Sequence, residues 1–127
     1  MQIIAVVVVL IAVVLHGYIF VMESLTWTSP RTRATFGLNE QQAEQTREMA
    51  YNQGFYNLFL ALIAAAGVIA WLAGHDAVGA ALIFAGAGSM VAAGVVLLLS
   101  SRSKARAALI QLTPPLLGVI ATAIAVA

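Results

Sequence analysis

Five polar side chains lie within or beside the apolar stretches of this sequence, and their types are suited to chemistry. They are His16, Glu23, Gln53, Asn57 and Gln111. Ionisable groups are costly in hydrocarbon, and those that occur there usually face a bundle interior or a water-filled cavity. A histidine and a glutamate in such a place can bind a polar group or act as a general acid–base pair. The set therefore predicts a polar pocket.

The spacing of these residues predicts that they converge. His16 and Glu23 are separated by two helical turns and so lie on one helix face, and Gln53 and Asn57 share a face in the same way. Gln111 follows the last basic segment and is expected at a similar depth. The residues expected to bind a ligand in one cavity open to the cytoplasmic leaflet are His16, Glu23, Trp27, Asn52, Gln53, Tyr56, Asn57 and Gln111.

The same residues also have a purely structural interpretation. Asn and Gln side chains commonly form hydrogen bonds between membrane helices, and Glu23 can simply lie at the interface. A metal site is not predicted, because His16 and Glu23 supply two ligands where zinc usually takes three or four from the protein. No cofactor is predicted, and the lack of cysteine excludes disulfides and thiolate sites.

The composition indicates an integral membrane protein. Apolar residues make up 62% of the 127 positions, against roughly 45–50% in soluble domains. Charged residues make up only 9%, against roughly 25%. A net charge of +1 excludes a basic nucleic-acid binder, so membrane lipid is the expected surrounding partner.

Four apolar runs of roughly membrane-spanning length predict an all-α, four-helix transmembrane bundle. They form one integral membrane domain over residues 1–127. The first run has neither the basic start nor the cleavage site of a signal peptide, so it is interpreted as a retained helix. A four-residue turn predicts that the second and third runs form a tight hairpin. The expected spans are residues 3–22, 55–73, 78–99 and 107–127.

The first connection, residues 23–53, has the residue pattern of a helical hairpin. Ser29-Pro30 is typical of a helix start, and Gly37 of a helix end. Asn39 with Gln42 three residues later predicts the cap of a second helix, which is expected to run into the second span. Aromatic residues such as Trp27 suit the headgroup level, so we expect this hairpin at the membrane interface.

All basic side chains fall in the first and third connections, which predicts the orientation of the chain. The positive-inside rule places those connections in the cytoplasm and both termini outside. The expected location is the bacterial inner membrane, as a multi-pass protein. The six basic residues are Arg31, Arg33, Arg47, Arg102, Lys104 and Arg106.

The third span has small residues at a spacing that allows close helix packing. The partner helix can belong to the same chain or to a second copy, which would form a homodimer. In the fourth span, Pro114-Pro115 either starts a helix after a Thr113 cap or interrupts one that begins earlier. The small residues of span three are Ala81, Ala85, Gly86, Gly88, Ser89, Ala93 and Gly94.

Three motifs resemble the small four-span bacterial inner-membrane proteins of domain-of-unknown-function family 1304. They are similar to H-x-Y-I-x-x-x-E, W-T-x-P-x-x-x-x-x-F-G and A-x-N-Q-G-x-Y-N. The resemblance implies a four-span membrane protein and carries no established activity. The motifs occupy residues 16–23, 27–37 and 50–57, and the resemblance covers nearly the whole chain.

Three functions fit this pattern. The first is binding or transport of a small lipophilic or amphipathic molecule through the polar pocket. The second is a cofactor-independent enzyme of the isomerase or epoxide-opening type, with His16 and Glu23 as catalytic acid and base. The third is a structural or assembly subunit in which the polar residues only join helices.

Overall fold

The structure, a computed structural model, describes residues 1–127 and is built from helices alone. A π-helical turn, Val21–Leu25, extends the first helix, and a 3₁₀ turn, Arg102–Lys104, precedes the last. Four segments are long and apolar enough to cross a membrane, which confirms the all-α, four-span prediction. The α-helices are α1 (Gln2–Phe20), α2 (Pro30–Phe36), α3 (Glu40–Leu72), α4 (Asp76–Ser100) and α5 (Ala105–Val126).

The four long helices form a ring in which each packs on two neighbours. Helix α1 lies against α3 and α5, and α4 lies against the same two helices from the opposite side. The buried core is built largely from alanine and valine, with the larger side chains of Trp71, Ile83 and Met90. Helices α1 and α4 are therefore diagonal partners, with α3 and α5 on opposite flanks of α1.

The glycines of α4 let this helix approach its neighbours within the chain. A Cβ atom added at Gly86 would lie 2.7 Å from the backbone nitrogen of Ala64 in α3. One added at Gly94 would lie 2.8 Å from the Cβ of Leu112 in α5. Close approach at these positions depends on the missing side chain, so Gly86 and Gly94 serve packing inside the bundle.

The other small residues of α4 face outward. They recur every four residues and all four are exposed, so they present a smooth surface that no helix of this chain covers. Pairing with a second copy through this surface stays a prediction. The four residues are Ala81, Ala85, Ser89 and Ala93.

The first connection folds as its capping residues predict. The Ser29 hydroxyl accepts from the Thr32 backbone N–H at 3.3 Å, and Gly37 ends α2 in the left-handed conformation at φ 67°. Asn39 and Gln42 form a reciprocal capping box at the start of α3, with bonds of 2.8 and 3.0 Å. The caps at Ser29 and Asn39 satisfy backbone N–H groups that the first turn of a helix leaves unpaired.

Trp27 links the two helices of this hairpin. Its indole N–H donates to the Thr46 hydroxyl at 3.1 Å, and its ring lies 4.9 Å from that of Phe36 between centroids. One side chain therefore contacts both α2 and the first part of α3.

Helix α3 is continuous from the hairpin into the second span, as expected. Its 33 residues reach about 50 Å at about 1.5 Å each, well beyond the roughly 30 Å of hydrocarbon. Helix α5 likewise runs without interruption through Pro114 and Pro115. Of the two alternatives for this proline pair, the structure shows the helix that begins earlier.

Substitution of Gly86 by alanine should separate α3 from α4. The new Cβ would lie 2.7 Å from a backbone nitrogen and 2.9 Å from the Leu60 carbonyl oxygen, neither of which can move alone. We expect a loss of about 1–3 kcal/mol in the free energy of unfolding, measured by denaturant titration in detergent. Gly88→Ala is the matched control, since nothing lies within 4 Å of its added Cβ. Equal losses in both variants would contradict this account.

Candidate functional site

A side-chain hydrogen bond joins the first and second spans at Glu23 and Asn57. The Asn57 amide donates to Glu23 Oε2 at 2.7 Å and also reaches the Gln53 backbone carbonyl at 3.2 Å. Both side chains are only partly exposed. A carboxyl group that is partly withdrawn from water is costly unless a donor satisfies it. The hydrogen bond from Asn57 thus offsets part of the free-energy cost of burying the Glu23 carboxyl group.

The π-helical turn presents Glu23 to α3. The Thr26 N–H donates to the Val21 carbonyl five residues earlier, at 3.0 Å, which widens the helix locally. Such turns are found frequently at functional sites. The widened turn changes the direction in which Glu23 projects, compared with a regular α-helix.

Ser24 and Gly54 contact each other where the first and second spans meet. Neither was predicted from the sequence as a site residue. The Ser24 hydroxyl donates to the Tyr51 carbonyl at 2.7 Å. A Cβ at Gly54 would overlap the Ser24 hydroxyl oxygen. The available signal was the single glycine within the polar start of span two, where helix propensity disfavours glycine unless close approach requires it.

His16 is fully buried and only half satisfied. Its Nδ1 lies 3.0 Å from the Ala12 carbonyl oxygen of its own helix. Its Nε2 is also buried, and no protein group hydrogen-bonds it. The residue lies in the bundle interior, as the sequence predicted for an intramembrane histidine, away from the surface.

One depression is a lateral cleft of about 590 Å³ between α1, the end of α2 and the start of α5. Its wall is mostly apolar and includes Ile19, Met22 and Ile110. Lys104, Arg106 and Gln111 also line it, the two basic residues exposed and Gln111 half-buried. Gln111 is the one predicted ligand-binding residue that lines this cleft.

A second depression, the acidic groove, has a volume of about 490 Å³ and lies on the α3 side of α1. Glu23 and Trp27 line it together with Glu44, Arg47 and Glu48. Arg47 lies 3.7 Å from Glu44, and both side chains are exposed. Most of its lining is polar, so it differs in character from the lateral cleft.

The predicted convergence on a single cavity therefore does not occur in the structure. Helices α3 and α5 flank α1 on opposite sides, so Glu23 and Asn57 meet at the α3 side while Gln111 lies at the α5 side. His16 lies in the core between them and lines neither depression.

Three further predicted residues are exposed and face away from the buried contacts. Asn52 donates to the Glu48 carbonyl of its own helix at 3.0 Å. Gln53 contributes only its backbone carbonyl to the Glu23–Asn57 contact, and 65% of Tyr56 is exposed. Asn52 and Gln53 thus follow the polar composition of the first turns of span two without joining a pocket.

Metal-binding geometry is absent as well. No group of three or more His, Cys, Asp or Glu side chains lies close enough together to hold an ion.

A family model described as "Protein of unknown function (DUF1304)" matches residues 10–123. Searches of curated proteins and of solved structures found no match.

Asn57→Ala should destabilise the bundle, because it leaves the Glu23 carboxyl group half-buried without its donor. We expect a loss of about 1–3 kcal/mol in the free energy of unfolding in detergent. Asn52→Ala is the matched control on the same helix, since this exposed side chain bonds only its own backbone, and it should change stability by less than about 0.5 kcal/mol. Equal effects, or no coupling between Glu23→Ala and Asn57→Ala in a double-mutant cycle, would contradict this role.

Proposed function

We propose that this chain, which belongs to the DUF1304 family, binds a small amphipathic molecule with an anionic head group in the lateral cleft. The observation that carries the proposal is the combination of an apolar wall with a cationic edge in one depression. Ligand sites are typically concave and mostly apolar, with a few polar groups that fix orientation. The cleft has this character, and its volume suits a molecule of modest size.

The wall of the cleft supports an apolar tail. Leu15 and Ile19 of α1, Met22 of the π-helical turn and Ile110 of α5 all line it. More than half of the Ile110 side chain is exposed, so a bound tail would cover apolar surface on both helices. Contact of this kind favours a lipid-like molecule that enters sideways from the bilayer.

The edge of the cleft supports an anionic head group. Lys104 and Arg106 are exposed, and neither forms a salt bridge within the protein. A basic side chain near a membrane surface attracts anionic groups by about 1 kcal/mol. The Gln111 amide lies deeper and makes no side-chain hydrogen bond in the protein, so it is free to orient the same head group.

Binding within one leaflet is better supported than passage across the membrane. The cleft involves α2, the end of α1 and the start of α5, which all lie at one end of the bundle. Catalysis by His16 and Glu23 has less support, because neither depression contains both side chains.

The proposed orientation places that end in the cytoplasm of a bacterial cell, with both termini outside. The support is that the first and third connections carry all six basic residues and the second carries none. Single cysteines at Gln45 and His75 test the orientation, since both positions are exposed and the native chain has no cysteine. In intact cells an impermeant thiol reagent should label the His75→Cys variant and should label Gln45→Cys only after permeabilisation. The reverse labelling pattern would refute the orientation.

Photoaffinity labelling tests the cleft directly. The probe is an alkyl phosphate with a diazirine in its tail, compared with the matching alkyl phosphocholine, in phosphatidylcholine nanodiscs. We expect the phosphate to label residues of the cleft and to compete better than the zwitterion. The combined change Lys104→Gln and Arg106→Gln should weaken phosphate labelling by roughly 30-fold, since two surface charges worth about 1 kcal/mol each are lost.

Two controls make that result specific. Arg47→Gln with Arg102→Gln removes the same number of charges outside the cleft and should leave labelling nearly unchanged. Ile110→Trp should block the cleft, whereas Leu109→Trp, at an equally exposed position outside it, should not. Equal labelling by both probes, or cross-links that map elsewhere, would overturn the proposal.

A further inference from the structure

A second polar site lies in the core of the bundle, at the unpartnered nitrogen of His16. The side chain has no exposed surface. Because the Ala12 carbonyl oxygen can only accept, the Nδ1 atom at 3.0 Å from it must carry the hydrogen. In the neutral ring Nε2 then holds a lone pair, so the buried atom without a partner is a hydrogen-bond acceptor.

The register of α1 and α5 brings Gln111 to the same level. A Cβ at Gly118 would lie 2.9 Å from a Val9 side-chain atom, so these two positions face each other. His16 lies two turns after Val9, and Gln111 lies two turns before Gly118 on a helix that runs the opposite way. The two residues are thus equally far from the Val9–Gly118 contact along the bundle.

The proline pair makes this level of α5 polar. Pro115 has no N–H to donate to the carbonyl of Gln111, four residues earlier. At membrane depth a free backbone carbonyl must find another donor. An acceptor on α1 and an acceptor on α5 therefore lie at one level of the bundle, and the Gln111 side-chain amide adds a donor at the inner side of the lateral cleft.

The opposite side of the core offers no donor. The Glu23–Asn57 contact sets α1 against α3, and two turns from it His16 is level with Ala64. Ala64 itself contacts Gly86 of α4. Neither residue has a polar side chain, so any partner of Nε2 comes from the α5 side or from a bound molecule.

We propose that an O–H group binds in the core between His16 Nε2 and Gln111. A water molecule would donate one hydrogen to Nε2 and the other to the Gln111 carbonyl. A hydroxyl-bearing molecule would donate its single hydrogen to Nε2 and accept from the Gln111 amide. Both ligands are neutral O–H donors, and Gln111 connects the site to the lateral cleft. The site does not depend on the anionic ligand proposed above.

Nitrogen NMR tests the proposal on the whole protein in nanodiscs. His75→Gln leaves His16 as the only imidazole, and ¹⁵N-histidine labelling then reports its two ring nitrogens. We expect a protonated Nδ1 and an unprotonated Nε2 whose resonance is shifted upfield from the free value, as an accepted hydrogen bond requires. A free Nε2 resonance, or two protonated nitrogens, would overturn the proposal.

Two matched substitutions locate the partner. Pro115→Ala restores an N–H for the Gln111 carbonyl and should move the Nε2 resonance, whereas Pro114→Ala, which restores one for the exposed Ile110, should not. Gln111→Leu should also move it, whereas Thr113→Val should not, since Thr113 is exposed and bonds only the Leu109 carbonyl. An Nε2 resonance that is unchanged in both Pro115→Ala and Gln111→Leu would contradict a site on α5.

Solvent and lipid exchange distinguish water from a hydroxyl-bearing molecule as the source of the O–H group. Magnetisation transfer from bulk water to the hydrogen-bonded proton identifies water. A shift without such transfer, which disappears after exhaustive exchange into synthetic phosphatidylcholine, identifies a co-purified hydroxyl compound. The hydrogen bond to Nε2 could instead survive this lipid exchange, show no magnetisation transfer from water, and be lost only in Gln111→Leu. That result would identify a direct contact with the Gln111 amide and would refute a bound O–H group. These spectra are recorded without the alkyl phosphate probe, so their outcome is separate from that of the labelling experiment.

Discussion

The lack of water in a bilayer core is the constraint on which the rest of this structure depends. Every polar group within the spans must be satisfied by the protein or by a bound molecule. The Glu23–Asn57 bond meets this requirement across two helices, and the threonines of α5 meet it within one helix, as Thr122 does by donating to the Gly118 carbonyl at 2.8 Å. His16 Nε2 and the carbonyls freed by the prolines are exceptions. Exceptions under so strict a constraint mark the places where a ligand has physical reason to bind.

The same environment explains how the helices are held together. Lipid tails are as apolar as the helix surfaces, so association depends on close contact and a few hydrogen bonds. Gly86 and Gly94 supply the contact for α4, and Gly54 supplies it where Ser24 crosses α3. The small residues that brace the core and the polar residues that define the sites therefore belong to one packing arrangement.

The helices and their ends could be predicted from local sequence because they depend on local chemistry. Apolar length predicts the spans, and Ser29, Gly37 and Asn39 cap the hairpin by bonds to residues a few positions away. The candidate site depends on which flank of α1 each helix occupies, and hydropathy is identical for either arrangement. The prediction used only the expected depth in the membrane, so it placed Gln111 and Glu23 in one pocket although they face different neighbouring helices. The π-turn was also missed, because residues 21–25 have no composition that distinguishes such a turn from a regular helix.

The π-helical turn has a consequence for the orientation of the hairpin. A π-turn accommodates one residue more than an α-helical turn, and each residue of an α-helix corresponds to about 100° of rotation about its axis. The azimuth at which the chain leaves α1 is therefore set by one additional residue within 21–25. The angular position of Trp27 and α2 around the bundle follows from that residue, and so does the side of α1 on which the end of α2 closes the lateral cleft. A local change in helix winding thereby bears on where the end of α2, residues 34–37, meets α1 at the lateral cleft.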